Sequence, residues 1–174
     1  QEAKLNLIAR FDLDAEKPIL ALCPGAEFGP AKQWPAAYYA EVAKVKVAEG
    51  WQVWIFGSPK DKLVAETIQQ ISGNVCKNLA GITALDEAID LLACADTVVT
   101  NDSGLMHIAS SLDKHVIAVY GSSSPKFTPP LSAHAKVVSL DLACSPCFKR
   151  ECPLGHLNCL KQLTPDSVLK EFVE

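Results

Sequence analysis

The segment Val98–His107 (VVTNDSGLMH) brings an acid, a hydroxyl, a glycine and an imidazole together where an apolar strand pattern gives way to a helical one. Backbone N–H groups at a helix start lack intrahelical acceptors, and the helix dipole favours negative charge there. The amides that open this helix could therefore face an anion such as a phosphate. The missing side chain of Gly104 leaves room for such a group. Asp102 stands just before the helix, where its carboxylate could accept hydrogen bonds from sugar hydroxyls. His107 returns to the face of Ser103 one turn on. The same residues also suit a plain N-cap with a solvated histidine, and the spacing by itself leaves both readings open.

Three further loops follow strand patterns. Cys23–Pro35 (CPGAEFGPAKQWP) holds Gly25 and Gly29, where the backbone can be approached closely, with Ala26 a further candidate for the ligand site. Its Lys32 is either a cation for a diphosphate or a solvated surface lysine. Trp34 and Pro35 suit the opening of the next helix, and Glu27 can be read either way. Phe56–Asp61 (FGSPKD) offers Gly57 and Ser58 as lining for a nucleotide, with Lys60 or Asp61 reaching a ribose or base. Asp61 equally suits the acid at a helix N-terminus. In Leu79–Leu85 (LAGITAL), Thr83 either caps the following helix or lies against a base. Small residues and one cation gathered at one sheet edge indicate a phosphate-bearing ligand, without saying which.

The elements that must position these loops alternate. Strand patterns run over Pro18–Cys23, Gln52–Phe56, Val75–Leu79, Thr97–Thr100, Val116–Tyr120 and Lys136–Leu140. Helical patterns run over Pro35–Glu49, Asp61–Ile71, Leu85–Cys94, Ser103–Leu112 and Pro165–Val173. The strands are continuous apolar runs, the mark of burial on both faces. Alternation at this spacing predicts an α/β fold, a Rossmann-like parallel sheet with helices on both faces. Ligands of such sheets bind at the carboxyl ends of the strands.

With 174 residues, the chain has the size of one domain. Residues 1–17 are expected as a lead-in, 141–163 as a Cys-rich segment and 164–174 as a closing helix. The opening lacks Met and reads as mid-protein sequence. A net charge of −4 gives no electrostatic footprint for nucleic acid. No apolar run approaches the ~20 residues of a membrane helix. No G-x-G-x-x-G follows the first strand, which argues against a dinucleotide oxidoreductase. The sequence around Ser103 lacks the G-x-S-x-G elbow of a serine hydrolase. Seven cysteines, three of them (Cys23, Cys76, Cys94) in apolar patterns, point to a reducing compartment. Cys144, Cys147, Cys152 and Cys159 form a denser cluster. It reads first as reduced structural thiols and second as a structural zinc or oxidation-sensitive site, with His156 an alternative ligand.

CPGAEFGPAKQWP, FGSPKD, LAGITALDEAI and TNDSGLMHIAS, in this order and spacing, resemble bacterial lipopolysaccharide heptosyltransferases of the II type, over Pro18 to about Pro130 and into the tail. The resemblance implies the C-terminal half of a GT-B glycosyltransferase, the half that binds ADP-heptose. It implies that Lys32 contacts the diphosphate and Asp102 orients the heptose. It places the amides of Ser103, Gly104 and Leu105 at the phosphates with Met106 and His107 nearby, Thr83 by the adenine, and Asp61, or Lys60, at the ribose. Transfer in that family inverts the anomeric centre and needs no cofactor or metal. Its general base lies in the N-terminal half, which implies that this chain alone binds donor without turnover. The lipid-linked acceptor implies a cytoplasmic setting at the inner face of the inner membrane. Two alternatives stand beside this reading: a related transferase using another nucleotide sugar, and a non-catalytic Rossmann-like binding module with a zinc-stabilised tail.

Overall fold

The computed structural model describes residues 1–172. Among the described residues six strands form one sheet: β1 (Ile19–Cys23), β2 (Gln52–Ile55), β3 (Lys77–Asn78), β4 (Thr97–Asn101), β5 (His115–Tyr120) and β6 (Ala135–Ser139). Their order is β3-β2-β1-β4-β5-β6, and every neighbouring pair is parallel. The helices are α1 (Glu2–Arg10), α2 (Ala36–Ala48), α3 (Lys62–Ile71), α4 (Leu85–Leu92), α5 (Gly104–Ser111), α6 (Asn158–Lys161) and α7 (Pro165–Leu169).

Successive side chains of a strand point to opposite faces, and β1 supplies both layers of the core. Leu20 and Leu22 pack with Tyr39, Ala40 and Ala43 of α2, Ala65 and Ile68 of α3, and Val168 of α7. Ile19, Ala21 and Cys23 pack with Leu7 of α1, Leu91 and Leu92 of α4, and Met106 and Ala109 of α5. All five residues of β1 are buried, which is why its sequence reads as an unbroken apolar run.

From β1 the chain winds outward through α2 and α3 to β3. It then crosses back through α4 to β4 on the other side of β1. Loops leaving β1 and β4 therefore part in opposite directions, opening a crevice between them. Residues 1–17, expected as a lead-in, contain α1. Leu7, Ile8 and Phe11 join the second core layer, and the Arg10 guanidinium meets the Glu87 carboxylate at the first turn of α4. The closing helix is shorter than its pattern suggested, ending at Leu169, and Val173 and Glu174 lie outside the described residues. Among the described residues no helix is long and apolar enough to cross a membrane.

Trp34 joins the loop after β1 to the chain's tail: its indole N–H donates to the Leu163 carbonyl at 2.7 Å in a buried setting. Trp34→Phe keeps most of the packing but leaves that carbonyl unsatisfied. It should cost about 1–3 kcal/mol, read as a lower midpoint in urea denaturation with unchanged slope.

Candidate functional site

A buried amide fixes the crevice. Asn101, the last residue of β4, is fully buried. Its Oδ1 accepts from the Trp34 backbone N–H at 3.1 Å and from the Tyr39 hydroxyl at 2.7 Å. Its Nδ2 donates to the carbonyls of Pro24 at 2.7 Å and Gly25 at 3.3 Å. Both ends of the loop between β1 and α2 are thereby tied to β4, and that loop carries Lys32.

The next residue, Asp102, is 4% exposed. Its Oδ2 accepts from Lys32 Nζ at 2.9 Å, Ser123 Oγ at 2.6 Å and Thr128 Oγ1 at 2.9 Å. A buried carboxylate is tolerated only when paired and hydrogen-bonded, and these three donors meet that need. Lys32 spends one of its three N–H donors on Asp102. It also lies 4.8 Å from the centre of the Phe28 ring.

Ser103 is extended and its side chain does not cap α5; its Oγ lies 3.4 Å from Thr100 Oγ1 instead. The first-turn amides of α5 thus have no side-chain acceptor, which sets aside the plain N-cap reading of this turn. A side chain built on Gly104 would meet nothing, because the space above it is open cleft.

The loop after β2 comes close to the loop after β1. Asp61 Oδ2 accepts from the Ser58 amide at 2.8 Å and the Ser58 hydroxyl at 3.2 Å, the role expected of an acid at a helix start. Its carboxylate would lie 2.6 Å from a Cβ on Gly25, and its Cβ 2.7 Å from one on Gly57. Both positions must be glycine for the loops to close this tightly. Lys60 meets Glu27 across the rim at 3.1 Å, both exposed and so adding little.

These loops enclose a cleft of about 900 Å³. Gly25, Ala26, Lys32, Gly57, Asp61, Thr83, Asp102, Ser103, Gly104, Leu105 and His107 all line it. Met106 does not. It is fully buried with Ala109 and Ser110 on the inward stripe of α5, and its sulfur receives the Tyr120 hydroxyl at 3.3 Å. Thr83 makes no cap; Ala84 holds that position, its amide donating to Glu87 at 2.9 Å. Burial pushes the Cys23 thiol well above its usual range, with Asp61 adding to the effect, so Cys23 is no nucleophile for this cleft.

Residues 1–158 match the family model of glycosyltransferase family 9 (heptosyltransferase). The chain belongs to this family. It is 46% identical over 173 residues, 97% of its length, to lipopolysaccharide heptosyltransferase 2 of Salmonella typhimurium, of which it covers 50%. To the Escherichia coli protein of the same name it is 46% identical over 169 residues, covering 94% of this chain and 48% of that protein. The chain thus spans about half the length of the curated relatives it matches. The structure of E. coli ADP-heptose LPS heptosyltransferase II superposes with a TM-score of 0.84 at 43% identity, over 98% of this chain and 50% of that one. A family 9 glycosyltransferase from Veillonella parvula shares the fold with a TM-score of 0.83 at 23% identity, over 98% of this chain and 50% of that one.

The cleft also has walls that the loop motifs did not announce. Phe28, Leu85, Ala88 and Ile108 line it with apolar surface, and Ser123 and Thr128 steady Asp102 from the loop after β5. Leu85 and Ala88, three apart at the start of α4, carried a readable helical spacing. Ser123 and Thr128 carried only their place after a strand at the same sheet edge.

The thiols of the Cys-rich segment stand apart from the cleft. All are free, and Cys144, Cys147, Cys152 and Cys159 line a second, small cavity together with His156. The Leu157 amide beside Cys152 holds that thiol below its usual range; burial pushes Cys159 up, aided by the other three sulfurs.

Asp102→Ala should leave Lys32 without its partner in a largely enclosed position and strand the Ser123 hydroxyl, while Thr128 Oγ1 keeps the Ser124 carbonyl. The expected loss is about 3 kcal/mol, the low end for breaking a buried pair. Ser123→Ala should cost about 1 kcal/mol. Guanidinium unfolding of the two variants beside the parent checks the ranking.

Proposed function

We propose that the chain is the donor-binding half of an inverting heptosyltransferase, holding ADP-heptose for transfer of L-glycero-D-manno-heptose to the inner core of lipopolysaccharide. The observation that carries this reading is the Lys32–Asp102 pair set beside the uncapped start of α5 at the crevice between β1 and β4. The names of the relatives support it: lipopolysaccharide heptosyltransferase 2 and ADP-heptose LPS heptosyltransferase II.

In this reading the diphosphate lies over Gly104, against the amides of Ser103, Gly104 and Leu105 and the free N–H donors of Lys32. The base rests against Leu85, Ala88 and Ile108, near Thr83, and Asp61 faces the ribose. Departure of ADP from the anomeric carbon builds negative charge on the diphosphate. Lys32 and the helix start are aimed where that charge grows, which lowers the barrier most when they are already in place. Asp102 has Oδ2 committed to Lys32, Ser123 and Thr128, so Oδ1 is the atom left for a heptose hydroxyl. An inverting attack needs its base on the far side of the sugar, so that base belongs to a facing half. The acceptor and any contact with the inner face of the inner membrane belong there as well, and the setting is cytoplasmic.

Calorimetric titration with ADP and ADP-heptose tests the assignment. Lys32→Ala should weaken both ligands about tenfold to a hundredfold, the equivalent of about 1.5–3 kcal/mol for a hydrogen bond to a charged group. Asp102→Asn should weaken ADP-heptose more than ADP. Equal affinity for ADP-heptose and ADP-glucose would favour a transferase of another nucleotide sugar. Absence of ADP binding by a folded chain, and by the protein with its second half, would remove the nucleotide reading.

A further inference from the structure

Residues 141–157 run without helix or strand, and none of their side chains is buried. An irregular stretch of more than about 12–15 residues is uncommon in a compact domain; here only Leu142 and Leu157 pack partly on the core and Phe148 stands edge-on to Phe127, little burial to offset the entropy of ordering it. This stretch is nonetheless pinned against the loop that carries Lys32. The Ala31 amide donates to the Arg150 carbonyl at 3.0 Å, and the Phe148 amide to the Ser122 carbonyl at 2.6 Å. The Ser122 amide in turn donates to the Ala31 carbonyl at 3.3 Å.

Four sulfurs from this stretch and α6 line one cavity of about 20 Å³, room for a single ion. Two observations indicate that something belongs there. Ser122 lines the same cavity, and its hydroxyl is buried without a partner, an expensive state for a polar group. At Cys152 the turn through Gly155 brings the Leu157 amide to 3.5 Å from Sγ, so the backbone donates to that sulfur. His156 Nδ1 already accepts from the Asn158 amide at 3.0 Å, which leaves the four sulfurs as the better donor set. Among the described residues no three such side chains stand as a ready-made metal cage. Closing one requires Cys144, Cys147 and Cys152, which stand on the irregular stretch, to draw toward the buried Cys159 of α6.

We propose that Cys144, Cys147, Cys152 and Cys159 take up one thiophilic divalent cation of the zinc class, and that this ion fastens residues 144–159 behind the loop bearing Lys32. Four thiolates suit tetrahedral zinc. Their protons pass to solvent as the ion binds, and no electron is transferred. The ion adds to the partial packing of Leu142, Leu157 and Phe148 that already holds the stretch. Its role is structural and does not depend on which ligand fills the large cleft.

The test uses this chain, reduced and purified without an affinity tag. Elemental analysis after dialysis should find about one zinc per chain. Cobalt in its place should give sulfur-to-metal charge-transfer bands and the intense visible bands of a tetrahedral site. Cys152→Ser should lose both, and Cys94→Ser should keep them. Should Cys152→Ser fail to fold, mass spectrometry of the parent decides: zinc should protect all four thiols from alkylation. Stripping the metal with a chelator should speed hydrogen exchange at the Ala31 and Phe148 amides and leave β1 unchanged. A folded chain that retains neither zinc nor cobalt, with the four thiols alkylating equally fast with and without zinc, overturns the proposal. So does isolation of these cysteines as disulfides without metal.

Discussion

The buried carboxamide of Asn101 is the constraint on which the site depends. It has two acceptor positions on oxygen and two donor hydrogens on nitrogen, and the structure engages them from two sides. Oxygen receives Trp34 and Tyr39, and nitrogen gives to Pro24 and Gly25. Losing any of these contacts would strand a polar group away from water, which costs more than the bond itself contributes. The loop after β1 therefore has one position relative to β4. Asp102 follows Asn101 in the chain, so the carboxylate that holds Lys32 inherits its place from the amide beneath it.

The rest of the cleft follows from sheet order and close approach. Because β1 and β4 are neighbours with connections running opposite ways, their loops meet only at the carboxyl edge. The amide-rich start of α5 is delivered to that meeting point. The loop after β2 joins through Asp61, whose carboxyl group fills the space that side chains at Gly25 and Gly57 would occupy. Apolar residues from α4 and α5 complete the opposite wall. A polar floor and an apolar wall in one cleft suit a ligand with a charged middle and a flat, less polar end.

How much of this the sequence disclosed depends on how local each signal was. Doubly buried strands declare themselves as apolar runs, which made β1, β2, β4 and β5 legible; the edge strands β3 and β6 were read from shorter patterns, and β3 shrank to Lys77–Asn78. Eleven of the twelve candidate ligand residues line the cleft because they sit in loops directly after strands or at the start of α5, which follows β4. Met106 went astray because proximity to Ser103 was weighed above helical spacing. With Ala109 and Ser110 it makes an i, i+3, i+4 stripe that faces the core. The tie between Asn101 and the loop after β1 could not be read, since its partners lie 62 to 77 residues away. The helix α1 was missed because it has one buried side chain, Leu7, and leans on α4 for the rest. Convergence of four sulfurs on one cavity likewise depends on how an irregular stretch folds back.

The order of strands in space also governs the order of events when the chain is made. β1 is synthesised first yet sits at the middle of the sheet, flanked by β2 on one side and β4 on the other. The first can pair as soon as α2 has formed. The second must wait: the Ile19 amide is satisfied by the Asp96 carboxylate, 77 residues further along. Contacts so distant in sequence carry a loop-closure cost before any return. During translation, one edge of this fully buried strand stands open until β4 emerges.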